Sequence, residues 1–191
     1  MRSRYIKKNE LRSMRTTADA DTWLPFRVML ETGLRVGDVV ALRREDIHRR
    51  DGEPVIEFRA QKTGKKGTAP ISEQLFVTLR RRPAGFLFPG SGKSGHITRQ
   101  ALWSRVKRLC ADAGLDPEGK SPHSFRKDFA VDLMHAQGLA AVREALQHAD
   151  DAVTRVYAYS DTILQSDSDE PIRWRDLELV VEYILRRVRG G

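Results

Sequence analysis

One stretch of this chain can form an antiparallel β unit, and helical segments flank it on both sides. Asp51-Gly52 is a turn signal, and Val55, Ile56, Phe58 and Ala60 follow it as the apolar positions of a strand over Pro54 to Lys62. Gly64-Lys65-Lys66-Gly67 predicts a tight connection, and Thr68 to Ile71 the returning partner. The result is one hairpin, or a small three-stranded sheet if Arg43 to Ile47 adds an edge. The fold class expected is α+β, mainly α-helical, with a small antiparallel sheet or hairpin.

The helical segments are delimited by ordinary signals. Trp23, Leu24, Phe26, Val28, Met29 and Leu30 are dense enough for a buried helix that starts near Thr22 and stops near Gly33. A second helix begins about Val36 to Asp38 and turns Val39, Val40 and Leu42 inward. Ser72 caps a helix over Glu73 to Leu79, which ends in Arg80-Arg81-Arg82-Pro83, where the helix dipole favours positive charge. Thr98 caps a longer one over Gln100 to Ala113, ended by Gly114. Pro117 to Pro122 is a loop into a further, mostly apolar helix. A last helix follows the acidic loop Asp167 to Glu170, with Pro171 as its first residue and Trp174, Leu177, Val181, Ile184 or Leu185, and Val188 on one face.

The 191 residues fit one domain, divided as a basic arm or linker remnant over 1–20, a main domain over 21–165 and the acidic loop with its amphipathic helix over 166–191. No apolar run approaches the roughly 18 residues that cross a bilayer, and no apolar signal core follows the basic N-terminus. The single cysteine, Cys110, allows no intrachain disulfide and no cysteine-based zinc site, and its neighbours Leu109 and Ala111 make it a helix-face residue. A reducing cytoplasm is the expected setting. The net charge of +8 favours a polyanionic partner, most simply nucleic acid, because phosphate neutralisation releases counterions. Gly90-Ser91-Gly92-Lys93-Ser94 is not a phosphate loop, since position 87, where that loop needs glycine, is Leu.

Chemistry concentrates in His123-Ser124-Phe125-Arg126, in Leu146-Gln147-His148, and in Thr154-Arg155-Val156-Tyr157, whose tyrosine lies nine residues after His148. Together with Thr32-Gly33-Leu34-Arg35-Val36-Gly37-Asp38, Ala41-Leu42-Arg43 and Gln61-Lys62-Thr63-Gly64, these segments resemble the ordered motifs of the tyrosine recombinases, the phage integrase family. The resemblance spans roughly residues 22 to 160. It implies a catalytic domain that cleaves and rejoins double-stranded DNA at specific sites through a 3′-phosphotyrosyl intermediate, without metal, ATP or another cofactor. It also implies self-association on DNA in a tetrameric synapse, and a bacterial or phage-encoded, cytoplasmic protein of a mobile element or a related system.

Under that resemblance Tyr157 is the nucleophile, Arg35 and Arg126 clamp the phosphate oxygens, and Lys62 protonates the leaving oxygen. His123 is the general base and His148 a phosphate hydrogen-bonder. Asp38 orients Arg35 from behind, and Lys65, Lys66 and Arg43 contact DNA. The chemistry agrees. A phenol of pKa about 10 is ionised about one part in a thousand at neutral pH, a deficit of roughly 4 kcal/mol that a base and cations must offset. The guanidinium fork suits non-bridging oxygens better than a lysine does, and imidazole titrates near working pH.

Alternatives stay open for several positions. Tyr159 competes with Tyr157, and Lys65 and Lys66 compete with Lys62. A metal site would pair the histidines with Asp150 or Asp151. His48, His96 and His135 have no partner at motif spacing and are structural or surface residues. Gln147 stands where the family usually has glycine, the run from Gly138 to His148 is about two residues short, and Lys127 and Asp128 replace commoner residues. Full-length members carry a separate helical DNA-binding domain ahead of the catalytic one, so an excised domain and a naturally short relative are both open. The last helix docks into a neighbouring protomer or folds back on its own. The competing functional class is a catalytically silent DNA-binding regulator of the same fold. A type IB topoisomerase and a metal-dependent nuclease are the other enzymes to separate.

Overall fold

The computed structural model describes residues 5–146. In chain order they form α1 (Lys8–Thr17), α2 (Ala20–Thr32), α3 (Val36–Val40), β1 (Ile47–Arg50), β2 (Glu53–Arg59), β3 (Lys66–Pro70), α4 (Glu73–Arg80), α5 (Arg99–Asp112) and α6 (Pro122–Ala145). A 3-10 turn, Arg44–Asp46, leads into β1. The sheet has order β1-β2-β3, antiparallel throughout, with β2 central.

The caps form as the sequence predicts. Ser72 accepts the Leu75 N–H at 3.2 Å and Thr98 accepts the Ala101 N–H at 3.0 Å. Gly33 closes α2 in the left-handed region, at φ +63°. Pro122 is the first residue of α6, where its missing N–H costs nothing. Behind it Ser124 Oγ accepts the Ser121 N–H at 3.1 Å, half of a capping box. The core joins both faces of α2 to its neighbours. Phe26 and Phe125 stack with centroids 4.6 Å apart, and Trp23 meets Phe125 edge-on at 6.0 Å. A smaller cluster of Phe129, Ala130, Leu133, Val142 and Leu146 lines the later part of α6, which breaks at Gly138 (φ 78°).

Three expectations need correction. Residues 1–20 are not simply an arm, because α1 occupies 8–17 and packs on α5. Its few apolar residues are enough because they are well placed: Met14 is fully buried, Ile6 is buried, and Leu11 packs on the same cluster. The edge strand is Ile47–Arg50 and not Arg43 to Ile47, since Arg43 bridges to Phe86 instead. The hairpin turn comes earlier than Gly64–Gly67: the Ala60 carbonyl accepts the Gly64 N–H at 2.7 Å, Gly64 takes φ +70°, and Gly67 already pairs with Phe58. Lys62 therefore sits in the turn, beyond the end of β2 and not inside a strand.

Candidate active site

Helix α2 ends at Gly33, Arg35 is the N-cap of α3, and the stacked Phe26–Phe125 pair holds α2 against α6. The residue after Phe125 is Arg126, so burying the phenylalanine delivers the arginine to the α2–α3 corner. There Arg126 Nη1 donates to the Gly33 carbonyl, and Nη2 donates to the Leu146 carbonyl at 3.3 Å. One guanidinium thus ties the Thr32–Arg35 corner to the end of α6. Burial, and then the positive charge of Arg35, push the Arg126 pKa down to about 10, while Asp38 acts in the opposite direction. The two carbonyl contacts and the nearby Arg35 charge together place a largely buried cation at the α2–α3 corner.

The Gly33 position makes this junction possible. A Cβ there would lie 2.4 Å from Phe129 Cδ1 and 2.9 Å from Leu146 Cδ2. The glycine admits both side chains against the corner.

Asp38 is buried, and its Oδ1 accepts the Gln61 N–H at 2.8 Å. Gln61 precedes Lys62, so the carboxylate of α3 pins the root of the hairpin turn. Gly37 allows the close approach, since a Cβ there would lie 2.9 Å from Gln61 Oε1. Orienting Arg35 is the part expected of Asp38; its observed contact joins the turn carrying Lys62 to the corner carrying Arg35, and its charge favours that of Arg126. Lys62, Lys65 and Lys66 are all exposed on the hairpin. Arg43 is exposed as well, with its guanidinium 4.3 Å from the centroid of the Phe86 ring.

His123 is exposed at the second position of α6 and lines a cleft of about 440 Å³ with Val36, Arg99, Trp103, Lys107 and Lys120. Trp103 is 44% exposed, and Lys107 Nζ lies 4.8 Å from its ring. These cleft residues were missed in the sequence, although Arg99, Trp103 and Lys107 lie at spacings of four along one helix face and could have been found there. Lys120 carried no such signal. His148 and Tyr157, with Tyr159 and the last helix, lie outside the described residues. The other histidines sit apart: His48 Nε2 is 3.5 Å from Glu57, His96 Nδ1 is 2.8 Å from the Ile97 carbonyl, and His135 is exposed.

A helical domain with a three-stranded antiparallel sheet and an arginine pair at the α2–α6 junction has the fold of a tyrosine recombinase catalytic domain. Residues 4–162 match the phage integrase family, and the chain belongs to that family. Among its relatives, the tyrosine recombinase XerD of Yersinia pestis is 33% identical over 150 residues, which cover 72% of this chain and 49% of that protein. XerD of Pseudomonas putida is also 33% identical, over 70% of this chain and 49% of its own length. The chain therefore spans about half the length of the curated relatives it matches. In structure it is similar to the XerH site-specific recombinase in a post-cleavage complex with its difH substrate (TM-score 0.68, 22% identity, 86% of this chain and 52% of that one). It is also similar to the catalytic domain of bacteriophage HP1 integrase (TM-score 0.62, 21% identity, 83% and 88%). At these identities the structural likeness concerns the fold.

Proposed function

We propose that the chain is the catalytic portion of a site-specific DNA recombinase that breaks and rejoins strands through a phosphotyrosyl intermediate. The observation that carries this reading is the paired guanidinium cluster. Arg126 donates to the Gly33 carbonyl two residues before Arg35, which caps α3 and acts on Arg126 with its positive charge, and a phosphodiester that bridged the two would relieve that opposition.

In the proposed reaction the Tyr157 oxygen attacks phosphorus and loses its proton to His123, while Arg35, Arg126 and His148 hold the non-bridging oxygens. The P–O5′ bond breaks, and Lys62 gives its proton to the leaving oxygen. A 5′-hydroxyl of another strand then reverses the step, so the phosphoester bond is exchanged without a net energy input. Asp38 keeps the Lys62 turn against the arginine corner. Double-stranded DNA is the proposed partner, and the synapse is proposed to require several copies of the chain. A nicked duplex carrying the cognate site should yield a covalent protein–DNA adduct that survives EDTA and is lost in Tyr157→Phe. An adduct that persists in that variant refutes the assignment, and cleavage abolished by EDTA points to a metal-dependent nuclease. DNA binding with no adduct from the intact chain points to the silent regulator.

A further inference from the structure

Three features outside the arginine corner are unusual: the buried Asp128 and half-buried Asp132 on α6, the mixed-charge outer face of the sheet, and a buried ion pair between α1 and the loop before α6. The ion pair carries an argument furthest. The Lys120 side chain has no exposed surface, and its ammonium lies 2.8 Å from Glu10 Oε1 and 2.6 Å from the Asp116 carbonyl oxygen. The second Glu10 oxygen, Oε2, accepts the Lys7 N–H at 2.9 Å, which starts α1. One carboxylate therefore both begins the N-terminal helix and neutralises a lysine three residues before His123. On the other side of His123, the backbone N–H of Ile6 donates to Asp128 Oδ1 at 3.0 Å. The N-terminal segment thus grips the His123 element at positions three residues before it and five after it.

A lysine without solvent contact needs a partner, because an isolated buried cation is strongly disfavoured. Lys120 also lines the cleft that His123 faces. If Glu10 lost its charge, the ammonium would either move toward solvent, taking the Asp116–Ser121 loop with it, or remain as an uncompensated positive charge beside that cleft. Either change reaches His123.

We propose that Glu10 and Lys120 are a positioning pair that sets the placement and electrostatic surroundings of His123 from the N-terminal helix. The inference rests on the recombinase reading only for its effect on rate, so one of its tests needs no DNA. The imidazole signal of His123, assigned with His123→Gln, is titrated by NMR in the intact chain and in Glu10→Gln. The expected result is a titration midpoint displaced downward, with Glu10→Asp returning most of the way. In parallel, single-turnover adduct formation at saturating protein should slow about tenfold in Glu10→Gln with DNA affinity unchanged, the size of effect expected when a reacting group is displaced slightly.

Leu79→Ala, on α4 and away from the α1–α6 junction, controls for lost stability. It should lower the urea midpoint while leaving the His123 titration in place. An unchanged His123 titration in Glu10→Gln overturns the proposal, as does a rate loss that only follows the folded fraction, as in Leu79→Ala. If the intact chain forms no adduct, the recombinase reading fails by itself, and the His123 titration still decides the pair.

Discussion

Arg126 does two jobs that pull against each other. Its guanidinium bonds the Gly33 and Leu146 carbonyls, and under the proposed function it also holds a phosphate together with Arg35, whose positive charge acts on it. A lysine could carry the charge, but its single ammonium could not span two carbonyls and still present a planar fork to an anion. Arg126→Lys is therefore expected to slow single-turnover adduct formation at least a hundredfold, in line with losing one preorganised donor. It should also lower thermal stability by about 1 kcal/mol for the hydrogen bond lost. A variant that loses stability but cleaves at the original rate would separate the two jobs and remove Arg126 from the chemistry. Asp38 shows the limit of motif arithmetic at the same scale. Its spacing from Arg35 predicted a partnership along one helix, and nothing in that spacing announced that its carboxylate also reaches across to the backbone of Gln61. Spacing along a chain records who shares a helix face and says little about which strand arrives opposite.

At the scale of elements, the corner between α2 and α3 depends on one glycine. Gly33 has φ +63°, and a side chain there would meet Phe129 and Leu146 well inside van der Waals contact. Gly33→Ala combines left-handed strain of about 1 kcal/mol with overpacking of roughly 1–3 kcal/mol, so a destabilisation of about 2–4 kcal/mol is expected in urea melts. Because the displaced residues lie beside the Arg126–Leu146 contact, the lost stability should come with slower cleavage. An unchanged melt would show that the corner is looser than its contacts imply. The hairpin illustrates how far local signals extend. Its existence followed from Asp51-Gly52 and the apolar positions after it, but these signals leave the third strand open and the turn came earlier than its glycine-lysine run suggested. Pairing of Gly67 with Phe58 settled the register, and cross-strand pairing of this kind is a tertiary matter.

Across the whole molecule, the N-terminal segment and α6 share a junction that holds the buried Asp128 and the half-buried Glu10 and Asp132. Burial is the first cause that raises Asp128 well above the ordinary carboxylate range, and Asp132 and Glu10 raise it further. Burial also raises Asp132 to about 6, with Lys8 opposing. A carboxyl whose folded pKa is raised binds its proton more tightly folded than unfolded. Stability is then greatest below the unfolded value of about 4 and falls as pH rises toward about 6. Asp132→Asn should flatten the pH 4–6 part of the urea-stability profile and raise stability at pH 7 by about 2 kcal/mol. A profile with the same slope in the variant would assign the pH dependence to other groups.

What the sequence determined alone was local or compositional: the helix caps at Ser72 and Thr98, the glycine stop at Gly33, the hairpin and the basic charge. It also determined the order of the motifs that mark the family, since motifs are strings and can be matched as strings. The tertiary structure decided which of these pieces meet. Gln61 against Asp38, Leu146 against Arg126, and Glu10 against Lys120 are separated by 23, 20 and 110 residues, and no periodicity links them. The segment expected as a polar arm became a docked helix for the same reason. Ile6, Leu11 and Met14 look sparse along the chain, and only the surface offered by the rest of the core makes them enough to order it.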